Sequence, residues 1–114
     1  NALTTAAGAA AAKFMVENNV PHLALESGDY MKKQLKSLID KFSFITEVRG
    51  MGLLIGLEMS EDFSSQIVGE ALDKGLLINA VRPNMIRFMP PLNVSKAEID
   101  SAVEIIESIL EGLR

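Results

Sequence analysis

The sequence predicts an α+β domain: a small, antiparallel-leaning sheet with helices on one face, preceded by an alanine-rich helix. Three observations carry this expectation. Apolar residues recur at helical spacing before residue 43 and after residue 95. Between these limits, glycine- and proline-punctuated segments take on strand chemistry. The elements follow the order α, α, β, β, α, β, β, α with short connections, which favours neighbouring strands pairing beneath one helical layer.

Residues 3–17 predict the first helix, because alanine dominates and Leu3, Ala7, Ala10, Ala11, Phe14 and Met15 can share a face. Such small side chains suit close packing against another helix, and "ENN" closes the element. Residues 21–42 predict a longer helix. Pro21 suits a first helical position, and Ala24, Gly28, Met31, Leu35, Leu38 and Phe42 recur in steps of three and four. Gly28 marks a bend or a close contact in its middle.

"FITEVRGMGLLIGLEM" then predicts two strands about Gly50-Met51-Gly52, where a bulge, kink or tight turn is expected. This is no dinucleotide fingerprint. The third glycine, Gly56, comes one residue late, and the segment leads into a strand, so no helix N-terminus is offered to a phosphate. Residues 61–74 predict a helix with Phe63, Ile67, Ala71 and Leu72 inward, stopped by Gly75. Residues 76–81 predict a short strand, 82–84 a turn, and 85–89 a strand ended by Pro90 and Pro91. Ser95-Lys96-Ala97-Glu98 is a capping box, and the last helix buries Ile99, Val103, Ile106, Leu110 and Leu113.

Composition narrows the function. The 114 residues suffice for one core of modest size, and 48% apolar with 23% charged residues is ordinary for a soluble globular domain. The net charge is −4, there is no basic stripe, and the aromatic residues are five Phe and one Tyr, so nucleic acid is not an expected partner. No apolar run approaches the ~18 residues a membrane span needs. Without cysteine there is no disulfide scaffold or thiolate metal site, which is compatible with a cytoplasmic location. One histidine and scattered carboxylates leave no expected metal site. The opening "NALTTAAGAAAAKF" lacks the positive start and Leu-rich stretch of a signal peptide and reads as the continuation of a longer chain.

Catalytic equipment is sparse. His22, between Pro21 and Leu23, reads as a surface or capping histidine, and no Ser, His and Asp arrangement stands out. Two arginines do. Arg49 ends a strand before a glycine turn and reads as a rim charge that pairs with a carboxylate or caps carbonyls. Arg87 sits in a strand whose Ile86 and Phe88 face one way while Met85, Arg87 and Met89 face the other. It is either a solvated outer-face residue or a fork placed to grip an anion, and the pattern leaves both readings open.

"NALTTAAGAAA", "EVRGMGLLIGLEM" and "KGLLINAVRPNMIRFMPPLNVSKAEIDSAVEIIESIL" together resemble the C-terminal part of the class III pyridoxal-phosphate aminotransferases, most of all their acetylornithine branch. The resemblance covers essentially the whole chain, and Ala2 stands where many relatives have proline. It implies that residues 1–19 are a helix linking to a large domain and that residues 20–114 are the C-terminal small domain. It implies that Arg87, at the arginine of the "RFxPPL" motif, binds a substrate carboxylate. The Schiff-base lysine and the cofactor contacts belong to the large domain; none of Lys13, Lys32, Lys33, Lys36, Lys41, Lys74 or Lys96 matches the family's lysine motif. No catalytic, cofactor-binding or metal-binding residue is therefore expected in this chain, which alone is expected to be inactive and to hold no pyridoxal 5′-phosphate. The parent is expected to be a homodimer that moves the side-chain amino group of N-acetylornithine to 2-oxoglutarate, in arginine biosynthesis, with ornithine, succinylornithine and 4-aminobutyrate as alternative donors. The rival expectation is a free-standing α+β module that binds a ligand, regulates or dimerises.

Overall fold

The structure is a computed structural model and describes residues 1–113. The chain runs α1 (Ala2–Glu17), α2 (Val20–Lys41), β1 (Ile45–Met51), β2 (Leu54–Met59), α3 (Ser64–Asp73), β3 (Asn79–Arg82), β4 (Met85–Phe88) and α4 (Lys96–Gly112). The element order is the one the periodicity predicts. Among the described residues no helix is long and apolar enough to cross a membrane.

The four strands form one antiparallel sheet in the order β1-β2-β4-β3, two hairpins joined through their inner strands. Helices α2, α3 and α4 cover one face. Ile55, Leu57, Ile86 and Phe88 from the sheet meet Leu35 and Leu38 of α2, Ile67 of α3 and Ile106 of α4 in a continuous core. Every residue in the predicted stripe of α2, from Ala24 to Phe42, is buried. At its outer edge α2 is tied to α4: the Tyr30 hydroxyl donates to Asp100 (2.7 Å), and Lys41 pairs with Glu107.

Gly28 is where α2 meets the sheet. A Cβ on Gly28 would lie 2.0 Å from the carbonyl oxygen of Gly52, so backbone packs directly on backbone. Gly52 is the first central residue of the β1–β2 turn, with φ of 52° while Leu53 keeps a negative φ, the sign pattern of a type II′ hairpin turn. The expected close contact in α2 and the expected tight turn are thus two sides of a single junction.

Three expectations shift. The strand expected at 76–81 is β3, Asn79–Arg82, so Arg82 belongs to the strand and not to the turn. Its predicted start is taken by the end of α3. Gly75 is left-handed (φ 81°), its amide donates to the Leu72 carbonyl, and the Leu76 amide donates to Ala71, a Schellman closure. Leu76 therefore has no amide to give a ladder. Helix α3 begins at Ser64, whose amide donates to the Pro83 carbonyl in the β3–β4 turn. Its buried arc is Ser64, Ile67 and Ala71, and Leu72, one step past it, is exposed. Strand β4 ends at Phe88, one residue short of the expected 89.

The first helix also differs from a tightly packed element. It is well formed, opened by an Asn1–Thr4 capping box, yet buries no residue. Asn18 and Asn19 join it to α2, with Asn19 in the left-handed region (φ 49°) that asparagine tolerates. Leu3, Phe14 and Val16 are exposed, and α1 contributes to a long axis of 53 Å against 27 and 21 Å.

Candidate functional site

The sheet face away from the helices carries the charged strand residues. Strand alternation sends Val48, Ile55, Leu57, Ile86 and Phe88 into the core and their neighbours outward. Register then arranges the outward residues in rows across the sheet. One row is Arg49–Gly56–Arg87–Asn79, and the next is Glu47–Glu58–Met85–Arg82. Arg49 and Arg87 also line a depression of about 300 Å³ with Gly56, Met85, Leu54 and Val81.

The two arginines stand in different electrostatic states. Arg49 is committed. Its Nη1 donates to Glu47 Oε2 at 2.9 Å and its Nη2 is 2.9 Å from Glu58 Oε2, an ion pair outside hydrogen-bonding angles. Glu47 and Glu58 face each other across the strands, an unfavourable like-charge pair that Arg49 bridges. The rim-charge reading of Arg49 is what the structure shows. Arg87 is half-buried, forms no ion pair with the described residues, and its Nε is buried without a hydrogen-bond partner. A buried, unpaired guanidinium N–H is costly unless something accepts from it.

Two side chains away from this face have displaced ionisation: Tyr30, raised above 10.0 by its hydrogen bond to Asp100, and Glu98, lowered from 4.5 because the Ser95 amide donates to it. His22 is a surface residue 3.8 Å from Glu26, and no metal-binding cluster occurs among the described residues. A groove of about 260 Å³ is lined by Asp29, Lys32, Lys33 and Lys36 of α2. Two further grooves are slightly larger than the Arg87 depression. One, of about 330 Å³, lies between the end of α3 and α4, and the other, of about 370 Å³, lies beside Phe14, Met15 and Leu92. The only ionisable group in either is Glu98, already committed to its cap.

The family described as Aminotransferase class-III matches residues 1–110. This chain belongs to the class III aminotransferases. Among curated relatives of the family it is 39% identical over 114 residues to an acetylornithine aminotransferase of Caldanaerobacter subterraneus subsp. tengcongensis, covering all of this chain and 29% of that protein. It is 45% identical over 112 residues to ornithine aminotransferase 2 of Staphylococcus aureus, covering 97% of this chain and 27% of that one. Among solved structures, acetylornithine aminotransferase from Elizabethkingia anophelis superposes with a TM-score of 0.80 at 25% identity, covering 86% of this chain and 27% of that one. The chain thus spans under a third of the class III aminotransferases it resembles.

The Arg87 depression does not by itself fit pyridoxal phosphate, which needs a lysine there. No lysine lines the Arg87 depression: Lys13 pairs with Glu17, Lys32 with Asp29 and Lys41 with Glu107, Lys96 lies over the Tyr30 ring, and Lys33 and Lys36 line a separate groove on α2. Sequence reasoning singled out Arg87 and Arg49 and put Met85 on the Arg87 face, but missed Glu58 and the place of Gly56. Period-two alternation from Leu54 through Gly56 to Glu58 carries that signal, once Arg49 is read as their neighbour.

Proposed function

We infer that this chain is the C-terminal part of a pyridoxal-phosphate-dependent aminotransferase that transfers the side-chain amino group of N-acetylornithine to 2-oxoglutarate, a step of arginine biosynthesis. Residues 20–114 are its small domain, and residues 1–19 link that domain to a large domain carrying the lysine and the cofactor. The parent works as a cytoplasmic homodimer, and this chain alone is inactive and holds no cofactor. The single observation that carries the reading is Arg87, without an ionic partner among the described residues, lining the depression on the open face of the sheet in a chain of this family.

Arg87 binds and orients. Amino donor and acceptor occupy one site in turn, and both present a carboxylate to it. A planar guanidinium offers that carboxylate two parallel N–H donors, fixing its angle as well as its position. Strand β4, hydrogen-bonded on both sides and followed by Pro90-Pro91, holds the fork steady. Pyridoxal phosphate, supplied with its lysine by the rest of the protein, provides the electron sink. Arg49, paired with Glu47 and Glu58, leaves the anion to Arg87.

The test is the full-length protein, assayed for amino transfer to 2-oxoglutarate from N-acetylornithine, ornithine, succinylornithine and 4-aminobutyrate. The reading expects the highest kcat/KM with N-acetylornithine. A clear preference for another donor replaces the substrate, and no amino transfer from any of the four overturns the activity.

A further inference from the structure

Three glycines of the sheet lack side chains for different reasons. Gly50 and Gly52 have positive φ, and a Cβ on Gly50 would meet the Leu54 carbonyl oxygen at 2.1 Å, so the fold demands both. Gly56 has no positive φ. The only atom that a Cβ there would crowd is the Met85 Cε, at 2.3 Å; the carbonyl oxygens of Arg49 and Ile86 stand off at 3.9 Å. A methionine tip is the most movable apolar group a core or cleft contains. The fold therefore tolerates a methyl at 56, and the bareness of this position needs another explanation.

Its place supplies one. Gly56 is paired with Arg49 on one side and Arg87 on the other, and it floors the depression between the two guanidiniums. The Met85 thioether lies across it, 3.8 Å from Arg49 Nη2. We propose that Gly56 is a specificity-determining position of the Arg87 site: its missing side chain seats the Met85 tip and so keeps the rest of the depression clear for the carboxylate and the first carbons of the substrate, with Met85 as the adjustable wall. The inference rests on the reading that Arg87 grips a carboxylate. It adds that the Met85 tip, resting over Gly56, limits the bulk a substrate can carry beside that carboxylate. A methyl at 56 pushes the Met85 tip off this seat into the rest of the depression and crowds the ligand without touching Arg87.

The experiment uses the full-length protein with Gly56→Ala, Gly56→Ala/Met85→Ala and Arg87→Lys, each measured with N-acetylornithine, 2-oxoglutarate and the carboxylate-free amine 1,4-diaminobutane. Thermal unfolding is followed in parallel. Gly56→Ala is expected to raise KM about tenfold for both carboxylate substrates, equivalent to about 1.4 kcal/mol of lost binding. It should leave kcat and the diamine little changed, and Met85→Ala in the same chain should restore KM. An equal loss for the diamine, an unchanged KM, or no restoration overturns the role of Gly56. Arg87→Lys separates the two levels. If it harms all three substrates alike, the carboxylate reading beneath falls. If it spares the diamine while Gly56→Ala does not, only the inference about Gly56 falls.

Discussion

Arg49 and Arg87 lie in one row of the sheet, two strands apart, with only the backbone of Gly56 between them. One is held by Glu47 and Glu58, and the other has no ionic partner among the described residues. The same residue type therefore plays two parts on one face, and substitution should tell them apart.

Arg87→Lys in the full-length protein keeps the charge and loses the planar fork, so one of two parallel bonds to the carboxylate goes. A hydrogen bond to a charged group contributes about 1.5–3 kcal/mol, and the expected loss in kcat/KM is roughly 10- to 100-fold. It should appear for amino donor and 2-oxoglutarate alike, and half-reaction kinetics measure it. Stability should barely change.

Arg49→Ala should do the reverse. It leaves Glu47 facing Glu58 with no cation between them, at a cost of about 1 kcal/mol for a pair this exposed. Urea unfolding measures the loss, and added salt should reduce it by screening the two carboxylates. Glu58→Gln should recover part of the stability in the Arg49→Ala background.

Gly28→Ala should be among the most damaging small substitutions in the chain. The added methyl meets the Gly52 carbonyl at 2.0 Å, and both sides of the contact are backbone. Helix α2 must lift from the turn, at a cost of about 3 kcal/mol. Urea midpoints compared with Gly69→Ala, where a Cβ meets nothing within 4 Å, isolate the effect.

How much of this was legible follows from reach along the chain. The stripe of α2 and the Ser95–Glu98 box repeat within a few residues, and both stand as read. Gly28 announced a contact but not Gly52 as its partner, because the partner comes from a turn in another element. The start of β3 slipped because helix closure at Gly75 claimed the Leu76 amide that strand propensity alone would have used. Arg87 was visible as an outward cation, but its surroundings depend on the pairing of β2 with β4, which no local pattern contains. What it holds was proposed from family resemblance.

Acid should loosen the start of α4. Glu98 is displaced below 4.5 because the Ser95 amide and hydroxyl donate to its carboxylate. A lowered folded-state pKa contributes stability above the unfolded value, and that contribution is lost as pH falls from 4.5 through the folded value. The protection of the Glu98 amide relative to its intrinsic exchange rate, its N–H donating to Ser95 Oγ, should fall across that window. Glu98→Gln should flatten the dependence while keeping an acceptor for the cap.

Helix α1 should exchange its amides faster than α4 in the 114-residue chain, since it buries no side chain while α4 buries five. Its exposed Leu3, Phe14 and Val16 should also promote self-association, which sedimentation at rising concentration reports. Equal protection of both helices in a proven monomer would contradict the expectation.

The two-hairpin sheet also has a kinetic consequence. Each hairpin closes over a two-residue turn and needs only nearby chain, on the order of microseconds. The pairing of β2 with β4 must instead wait until the whole of α3 and β3 has been gathered in, the kind of distant closure that slows folding. Gly56 and Arg87 sit on opposite sides of that last seam. On the proposed role of Arg87, no early collapsed species offers a finished anion site, so ligand capture during refolding would time the joining of the two halves of the sheet.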